Sequence, residues 1–517
     1  LNKLKGHTYL ITKQKDNTSL ILIGLMLAIL MSAMDNTIVT TAMGTIVSQL
    51  GDMEQFVWVT SAYMVAVMAG TPIFGKLSDM YGRKRFFIFG IITFLVGSVL
   101  CGMAESITQL SIYRAIQGIG GGALMPIAFT IIYDIFPLEK RGKMTGLLGA
   151  VFGTSSIFGP LLGAYITDKL GWHWVFLINV PIGLVCLGLI IVFYRESLSR
   201  SKQRIDWGGA FTLVASVVCL MFALELGGET YPWGSTVILS LFTGFTVLFI
   251  AFLFIETQAE EPIISFNMFK NRLYATSSAL ALLYGSVFIV ATVFIPIYVQ
   301  GVFGGSATNS GLILMPMMIG SVVGSMLGGF LSTRLSYKMI MMISVICFVS
   351  GIFALSTISN ETTQSLLTLY SILTGFGVGY SFSVLSMAAV HHFDMRQRGA
   401  ATSTNSFLRS LGMTLGITIF GIIQRNLVAE EMRQAFGGAG VSAEAFGDMR
   451  EALSPEKRVQ IPPPILEKIT AALSSSIAHT FMWALIPAGL AVLVVLLMPN
   501  DRISPQGKRK PQSEQSS

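Results

Sequence analysis

Charge is what this chain has least of. Of its 517 residues only 12% are Asp, Glu, Lys or Arg, against roughly 25% in soluble domains, which excludes an ordinary water-facing surface. Cysteine is scarce too: Cys101, Cys186, Cys219 and Cys347 all fall inside apolar stretches, without metal or redox spacing. They read as small hydrophobes, and no disulfide framework is expected. His7, His173, His391, His392 and His479 have no metal-ligand spacing, and no phosphate-binding loop is present. No enzyme, no metal site and no cofactor are expected. Gly118 to Gly122 forms a weak GxGGG run inside an apolar stretch, where its expected use is close helix packing.

What is present is hydrocarbon. Hydrophobic residues make up 53% of the chain and the mean hydropathy is +0.69. They occur in runs of about twenty, the length that crosses a core of about 30 Å. Segments fall near 19–41, 57–77, 86–104, 107–135, 143–167, 173–194, 207–227, 235–256, 273–301, 308–332, 337–357, 364–390, 400–426 and 477–498. The first, from Ser19, is too long for a signal peptide and is expected to be retained. The fold class is an all-α polytopic membrane protein with fourteen transmembrane helices.

The formal charge of +7 would suit nucleic acid or lipid topology, and its placement favours topology. An even number of spans puts both termini on one side and sorts the loops into two sets. One set holds Lys76, Arg83 to Arg85, Lys140, Arg141, Lys143, Arg195, Arg200, Lys202, Arg204, Lys270, Arg272, Arg334, Lys338, Arg396, Arg398 and both basic tails. By the positive-inside rule these loops and both termini are cytoplasmic. The short loops of the other set, around Asp52, Glu54, Glu105, Glu229 and Glu361, have almost no basic residue apart from Lys169. Its one long member, about 427–476, is interrupted by Pro462-Pro463-Pro464, and is expected to be a partly ordered external loop or to carry short amphipathic helices on the membrane.

The chain repeats internally. Tyr113-Arg114-Ala115-Ile116-Gln117-Gly118-Ile119-Gly120-Gly121-Gly122 superimposes on Tyr370-Ser371-Ile372-Leu373-Thr374-Gly375-Phe376-Gly377-Val378-Gly379, and Arg141-Gly142 then falls on Arg398-Gly399. Span four therefore corresponds to span twelve. This divides the chain into a tail (1–18), a six-helix half (19–194), a linker with two added spans (195–272), a second six-helix half (273–498) and a tail (499–517), the arrangement of transporters built from repeats around a midplane site.

Several charges sit where lipid makes them costly. Arg114, in span four, costs about 2.5 to 3.5 kcal/mol on insertion scales unless compensated. Asp35 lies about 24 Å along span one and Arg114 about 11 Å from the outer face at 1.5 Å per residue, so both belong to the outer half. Packing roles satisfied by neighbours are the alternative for each. Arg409 and Glu225 are further intramembrane charges, Arg409 read equally as substrate-path lining or structural pairing and Glu225 as interfacial. Span five carries Gly142, Gly146, Gly149 and Gly153 on one face, and span ten carries Gly320, Gly324 and Gly328, small faces that let membrane helices touch.

Gly75-Lys76-Leu77-Ser78-Asp79-Met80-Tyr81-Gly82-Arg83-Lys84-Arg85, between spans two and three, resembles the loop signature of the major facilitator superfamily. Its second-half relic, Gly329 to Lys338, has Thr333 where Asp79 would fall. Leu30 to Val39 around Asp35 resembles the first-helix signature of its drug:proton antiporters, and Gly153 with Gly159-Pro160 and Gly163 in span five resembles the superfamily's antiporter signature, with Ala164 where the usual second Gly would stand; Trp172 to Gly183 and Asn405 to Gly412 resemble the fourteen-helix drug:proton antiporter branch. The resemblance covers both halves. It implies proton coupling at Asp35 and Arg114, a cytoplasmic gate at Gly75, Asp79, Gly82, Arg83 and Lys84, and an antiporter motif at Gly153, Gly159, Pro160 and Gly163.

Candidate substrate-path residues are Asn36, Gln117, Tyr284, Phe288, Tyr370, Phe376 and Arg409. The function expected is proton-coupled efflux of small amphipathic, often cationic compounds across a bacterial inner membrane. It would be driven by the proton gradient alone, with protons, substrates and lipid as partners, no nucleic acid and no obligatory protein partner. Alternatives are a narrower tetracycline or monovalent-cation antiporter, a proton symporter, and a non-transporting sensor on the same fold. Ser371 at the position of Arg114 and Thr333 at that of Asp79 imply that the first half carries coupling while the second shapes the substrate cavity.

Overall fold

The computed structural model describes residues 17–51, 57–196, 205–228, 230–304, 307–436, 458 and 461–502. Residues 1–16 and 503–517 of the two tails, with Asp52, Glu54, Arg200, Lys202, Arg204, Glu229 and about half of the long loop expected at 427–476, lie outside the described residues.

Fourteen described helices are long and apolar enough to cross a membrane. In chain order they are α1 (Thr18–Leu50), α2 (Val57–Tyr81), α3 (Arg83–Cys101), α4 (Ile107–Ile135), α5 (Leu138–Leu170) and α6 (His173–Phe193); then α7 (Trp207–Leu226) and α8 (Thr236–Gln258); then α9 (Arg272–Gly301), α10 (Ala307–Leu331), α11 (Tyr337–Leu355), α12 (Gln364–Val390), α13 (Arg398–Phe436) and α14 (Pro463–Leu497). Starts are fixed by side chains that accept a first-turn N–H: Ser106 from Gln109, Asp206 from Gly209, Asn271 from Leu273 and Tyr274, and Thr363 from Leu366. A turn at Ile178 breaks α6 into His173–Leu177 and Asn179–Phe193. Pro181 lacks the N–H that would bond the Leu177 carbonyl, and the break presents Asn179 inward.

Helices α1–α6 pack together, α9–α14 pack together, and the α7–α8 pair packs mainly on itself and on α2. Large apolar side chains such as Val192, Phe211 and Phe254 point outward, a surface suited to lipid. The repeat is visible in the packing. Within the GxGGG run, a Cβ on Gly118 would lie 2.5 Å from the Tyr63 carbonyl of α2, and Gly120 presses against Phe94 of α3. In α12, Gly375 meets Met317 of α10, and a Cβ on Gly377 would lie 2.5 Å from the Phe348 nitrogen of α11. Both runs serve close packing, as expected.

The halves meet along α5 and α10. A Cβ on Gly146 would lie 2.8 Å from the Ser325 carbonyl oxygen, Gly142 abuts Gly329, and Gly153 faces Val322. The face of α10 bearing Gly320 and Gly324 packs instead on Ile372 and Phe376 of α12, so α10 is clasped from two sides.

One boundary differs from expectation. Residues 427–436 and 463–476 continue α13 and α14 and are not separate surface helices. Pro463 and Pro464 open α14, where missing N–H groups cost nothing. The two extensions hold each other: Ser475 donates to Glu431 at 2.7 Å, Lys468 Nζ to the Ala435 carbonyl at 3.2 Å, and Met432 is buried.

Candidate functional site

Four helices carry polar groups into the interior of the first half and converge on Asp35, which is fully buried, as is Arg114. Arg114 Nη1 pairs with Asp35 Oδ2. The other carboxylate oxygen, Oδ1, accepts from Gln117 Nε2 at 2.7 Å and from Asn179 Nδ2 at 3.0 Å. Arg114 also donates to Gln117 Oε1 at 2.7 Å and, through Nε, to the Val59 carbonyl at 3.2 Å. Ser98 Oγ receives Gln117 and Asn179 at 2.8 and 3.3 Å. The Tyr63 ring lies over the guanidinium, 4.1 Å from its centroid. Each charge thus has an opposite charge and neutral donors or acceptors, and the cation also has an aromatic face, the conditions under which a buried ion pair is tolerated. Neither Asn179 nor Ser98 is indicated by the sequence as a partner of Asp35. The Asn-x-Pro after the tryptophans was the available signal for Asn179.

The antiporter-motif residues lie beside this cluster. Gly163 leaves room for Ile38 of α1, whose carbonyl oxygen a Cβ there would meet at 2.7 Å, and Gly159 faces Thr37. Thr37 Oγ1 reaches the Ser155 carbonyl at 3.5 Å. Pro160 lies within α5 between the two contacts. Gly153 faces the other half instead. Asn36 stands next to Asp35 with its Oδ1 buried and unpartnered.

A second cluster ties the halves together at the end bearing the basic loops. Asp79, at the close of α2, accepts the Gly399 N–H on Oδ1 at 2.9 Å and the Ala400 N–H on Oδ2 at 2.8 Å. A carboxylate there meets the positive end of α13. Arg83 bonds Asp79 at 3.1 Å, pairs with Asp134, and donates to the carbonyls of Thr130 and Met395. Arg398 reaches Asp134 Oδ1 at 3.1 Å and the Tyr133 carbonyl at 3.2 Å. Gly75 is required by close approach, since a Cβ there would lie 2.8 Å from the Gly399 carbonyl oxygen and overlap Ser403. Gly82 has φ +108, which L side chains rarely adopt. Lys84 donates to the Ile191 and Tyr194 carbonyls at 2.7 and 2.5 Å, and its N–H meets Glu196. The five residues that the resemblance assigns to a gate thus lie in or beside this cluster, with Asp134, which the sequence did not indicate.

The substrate-path candidates separate. Gln117 belongs to the Asp35–Arg114 network. Tyr284 is buried, stacked 4.5 Å from Phe348 and bonded to Ser344 at 2.9 Å. Phe288 packs edge-on to Phe382 at 5.9 Å, and Phe152 of the other half approaches the same ring at 5.6 Å. Phe376 packs on Tyr380, and Tyr370 is partly buried. Arg409 lies over Phe382 and donates to the Ser381 carbonyl at 3.3 Å. Among the described residues no group of three or more His, Cys, Asp or Glu could hold a metal ion.

A bundle of fourteen membrane-length helices, with charges buried inside it and its halves latched at one end, defines a multi-pass membrane carrier. The profile of the Major Facilitator Superfamily matches residues 25–417, and the chain belongs to that family. It is 58% identical over 497 residues to the Multidrug resistance protein 3 of Bacillus subtilis (strain 168), covering 95% of this chain and 97% of that one. It is 34% identical over 478 residues to the Multidrug transporter protein MdtP of the same organism, covering 90% and 87%. Among solved structures it resembles the human organic anion transporter MFSD10 (TETRAN), with a TM-score of 0.59, 14% identity and coverage of 94% and 99%. It also resembles the proton:xylose symporter XylE, with a TM-score of 0.57, 15% identity and coverage of 89% and 99%. These two likenesses concern the fold alone.

Proposed function

We propose that this carrier is a proton-driven antiporter that exports small amphipathic, often cationic compounds across a bacterial inner membrane, with both termini in the cytoplasm. The observation that carries the reading is the buried Asp35–Arg114 pair. The relatives named for multidrug resistance and transport support the substrate class. The excess of Lys and Arg on one set of loops supports the orientation.

In the latched arrangement the cytoplasmic end is closed by Asp79 on Gly399 and Ala400 and by Asp134 between Arg83 and Arg398. A proton arriving from outside neutralises Asp35, which ends its attraction for Arg114. The unpaired guanidinium then favours a rearrangement of α1 against α4, and that motion is transmitted through the Gly159–Thr37 and Gly163–Ile38 contacts to α5, which bears on the opposite half. Release of the proton inside restores the pair. A substrate entering the cavity competes for the same change of state, so proton and substrate move in opposite directions.

Purified protein in proteoliposomes with an internal pH dye tests this. Quaternary ammonium dyes, tetracycline and monovalent salts are added in turn. Proton movement triggered by several unrelated amphipathic compounds is the expected result. Movement with tetracycline or a salt alone would replace this reading with the narrower antiporter, and none with any compound would leave the sensor.

A further inference from the structure

Arg409 carries a charge that neither the coupling pair nor the latch uses. It lies eleven positions into α13 from Arg398, about 16 Å from the basic end at 1.5 Å per residue, near the middle of a core about 30 Å thick. Arg114 has Asp35; among the described residues no carboxylate forms an ion pair with Arg409. Of its five N–H donors, the described partner is the Ser381 carbonyl at 3.3 Å, with the guanidinium carbon 4.4 Å from the centre of the Phe382 ring. That ring also receives Phe288 of α9 at 5.9 Å and Phe152 of α5 at 5.6 Å. Phe152 comes from the first half and the other three residues from the second, so the cation stands at the junction of the halves, on an aromatic wall and at midplane depth.

A planar fork of donors placed over an aromatic ring, with one bond to a backbone carbonyl and no carboxylate partner among the described residues, is an arrangement that takes a carboxylate by two parallel bonds. We infer that Arg409 binds the anionic group of the transported compound, with Phe152, Phe288 and Phe382 holding its aromatic body. The substrate class then includes aromatic acids and zwitterions beside cations. This rests on the export reading above and names the chemistry of one part of its substrate path. The ligand completes a charge that the protein leaves open, and its exit leaves that charge open again, which suits release as well as capture.

The test uses the full chain in nanodiscs and in proteoliposomes, with a fluorescent quinolone carboxylate, its methyl ester and ethidium as probes. Wild-type protein is expected to bind the acid about tenfold more tightly than the ester, the ratio for a charge-assisted pair set against a neutral acceptor. Arg409→Gln is expected to abolish that ratio and leave ester and ethidium near their wild-type affinities, and Arg409→Lys to restore part of it. Equal binding of acid and ester by the wild type overturns the inference without any variant. So does a proportional loss of all three probes in Arg409→Gln, which marks a structural cation. If the wild type discriminates acid from ester in nanodiscs yet moves no probe in proteoliposomes, Arg409 keeps this role and the export reading fails.

Discussion

Asp79 Oδ1 lies 2.9 Å from the amide nitrogen of Gly399, so the last turn of α2 in one half closes on the first turn of α13 in the other. Charge-assisted bonds of this kind are worth about 1.5 to 3 kcal/mol each, enough for two of them to bias a two-state carrier strongly. In Asp79→Asn one acceptor remains and the amide NH₂ opposes a second N–H. The expected result is a basic end that opens about tenfold more often or more, slower turnover, and substrate affinity close to wild type. Spin labels at Lys140 and Arg334 measure the opening. An unchanged distance distribution with weakened binding would contradict the latch.

Arg114 is held through three acceptors in different directions: Asp35, Gln117 and the Val59 carbonyl. A lysine supplies the charge and not the fork. Arg114→Lys is therefore expected to reach the membrane in normal amount and lose coupled export by about tenfold or more, the cost of leaving a buried donor set incomplete. Full export by the lysine variant, at matched protein levels, would show that a point cation suffices.

Gly146 touches the other half, whereas a Cβ on Gly421 would meet nothing within 4 Å. Gly146→Val should cost about 1 to 3 kcal/mol by overpacking, and Gly421→Ala should be neutral or mildly stabilising, since Gly inside a helix is worth about 0.5 to 1 kcal/mol less than Ala. Thermal unfolding in detergent separates the two. Equal melting temperatures would remove α5–α10 contact as a determinant of stability.

His391, just past α12, accepts or donates at Nδ1 to the Tyr337 hydroxyl at 3.1 Å and lies 4.6 Å from the His392 ring. Burial first, and the neighbouring His392 next, hold its pKa below the ordinary histidine value; Arg141 acts in the same direction and Asp501 against it. The unfolded chain therefore takes up a proton before the folded one does. The stabilising contribution is present above about pH 6.5 and is lost as pH falls below it. Melting temperature should decline from pH 7 toward pH 5, and His391→Gln should flatten that decline. A variant with an undiminished slope would assign the sensitivity elsewhere.

The span pattern was legible because lipid demands about twenty apolar residues each time, and α4 and α12 begin and end where hydropathy places them. The extensions of α13 and α14 were not, because beyond the apolar core a helix is held by pairings such as Ser475 with Glu431, which hydropathy does not register. Asp35 and Arg114 were legible one at a time, since each is costly alone; their meeting across α1 and α4 was supplied by the fold. Asp134 was missed because an acid at a helix end looks like solvent-facing charge until Arg83 and Arg398 are brought to it.

The central claim is that the Asp35–Arg114 pair is where a proton enters the transport cycle. The most direct measurement is substrate-triggered proton flux through Asp35→Asn in proteoliposomes, beside substrate binding to the same preparation. Asparagine keeps the shape and neutral bonds to Gln117 and Asn179 while removing the titratable group. The account predicts retained binding and no substrate-dependent proton flux. Proton flux at the wild-type ratio of protons to substrate would contradict it.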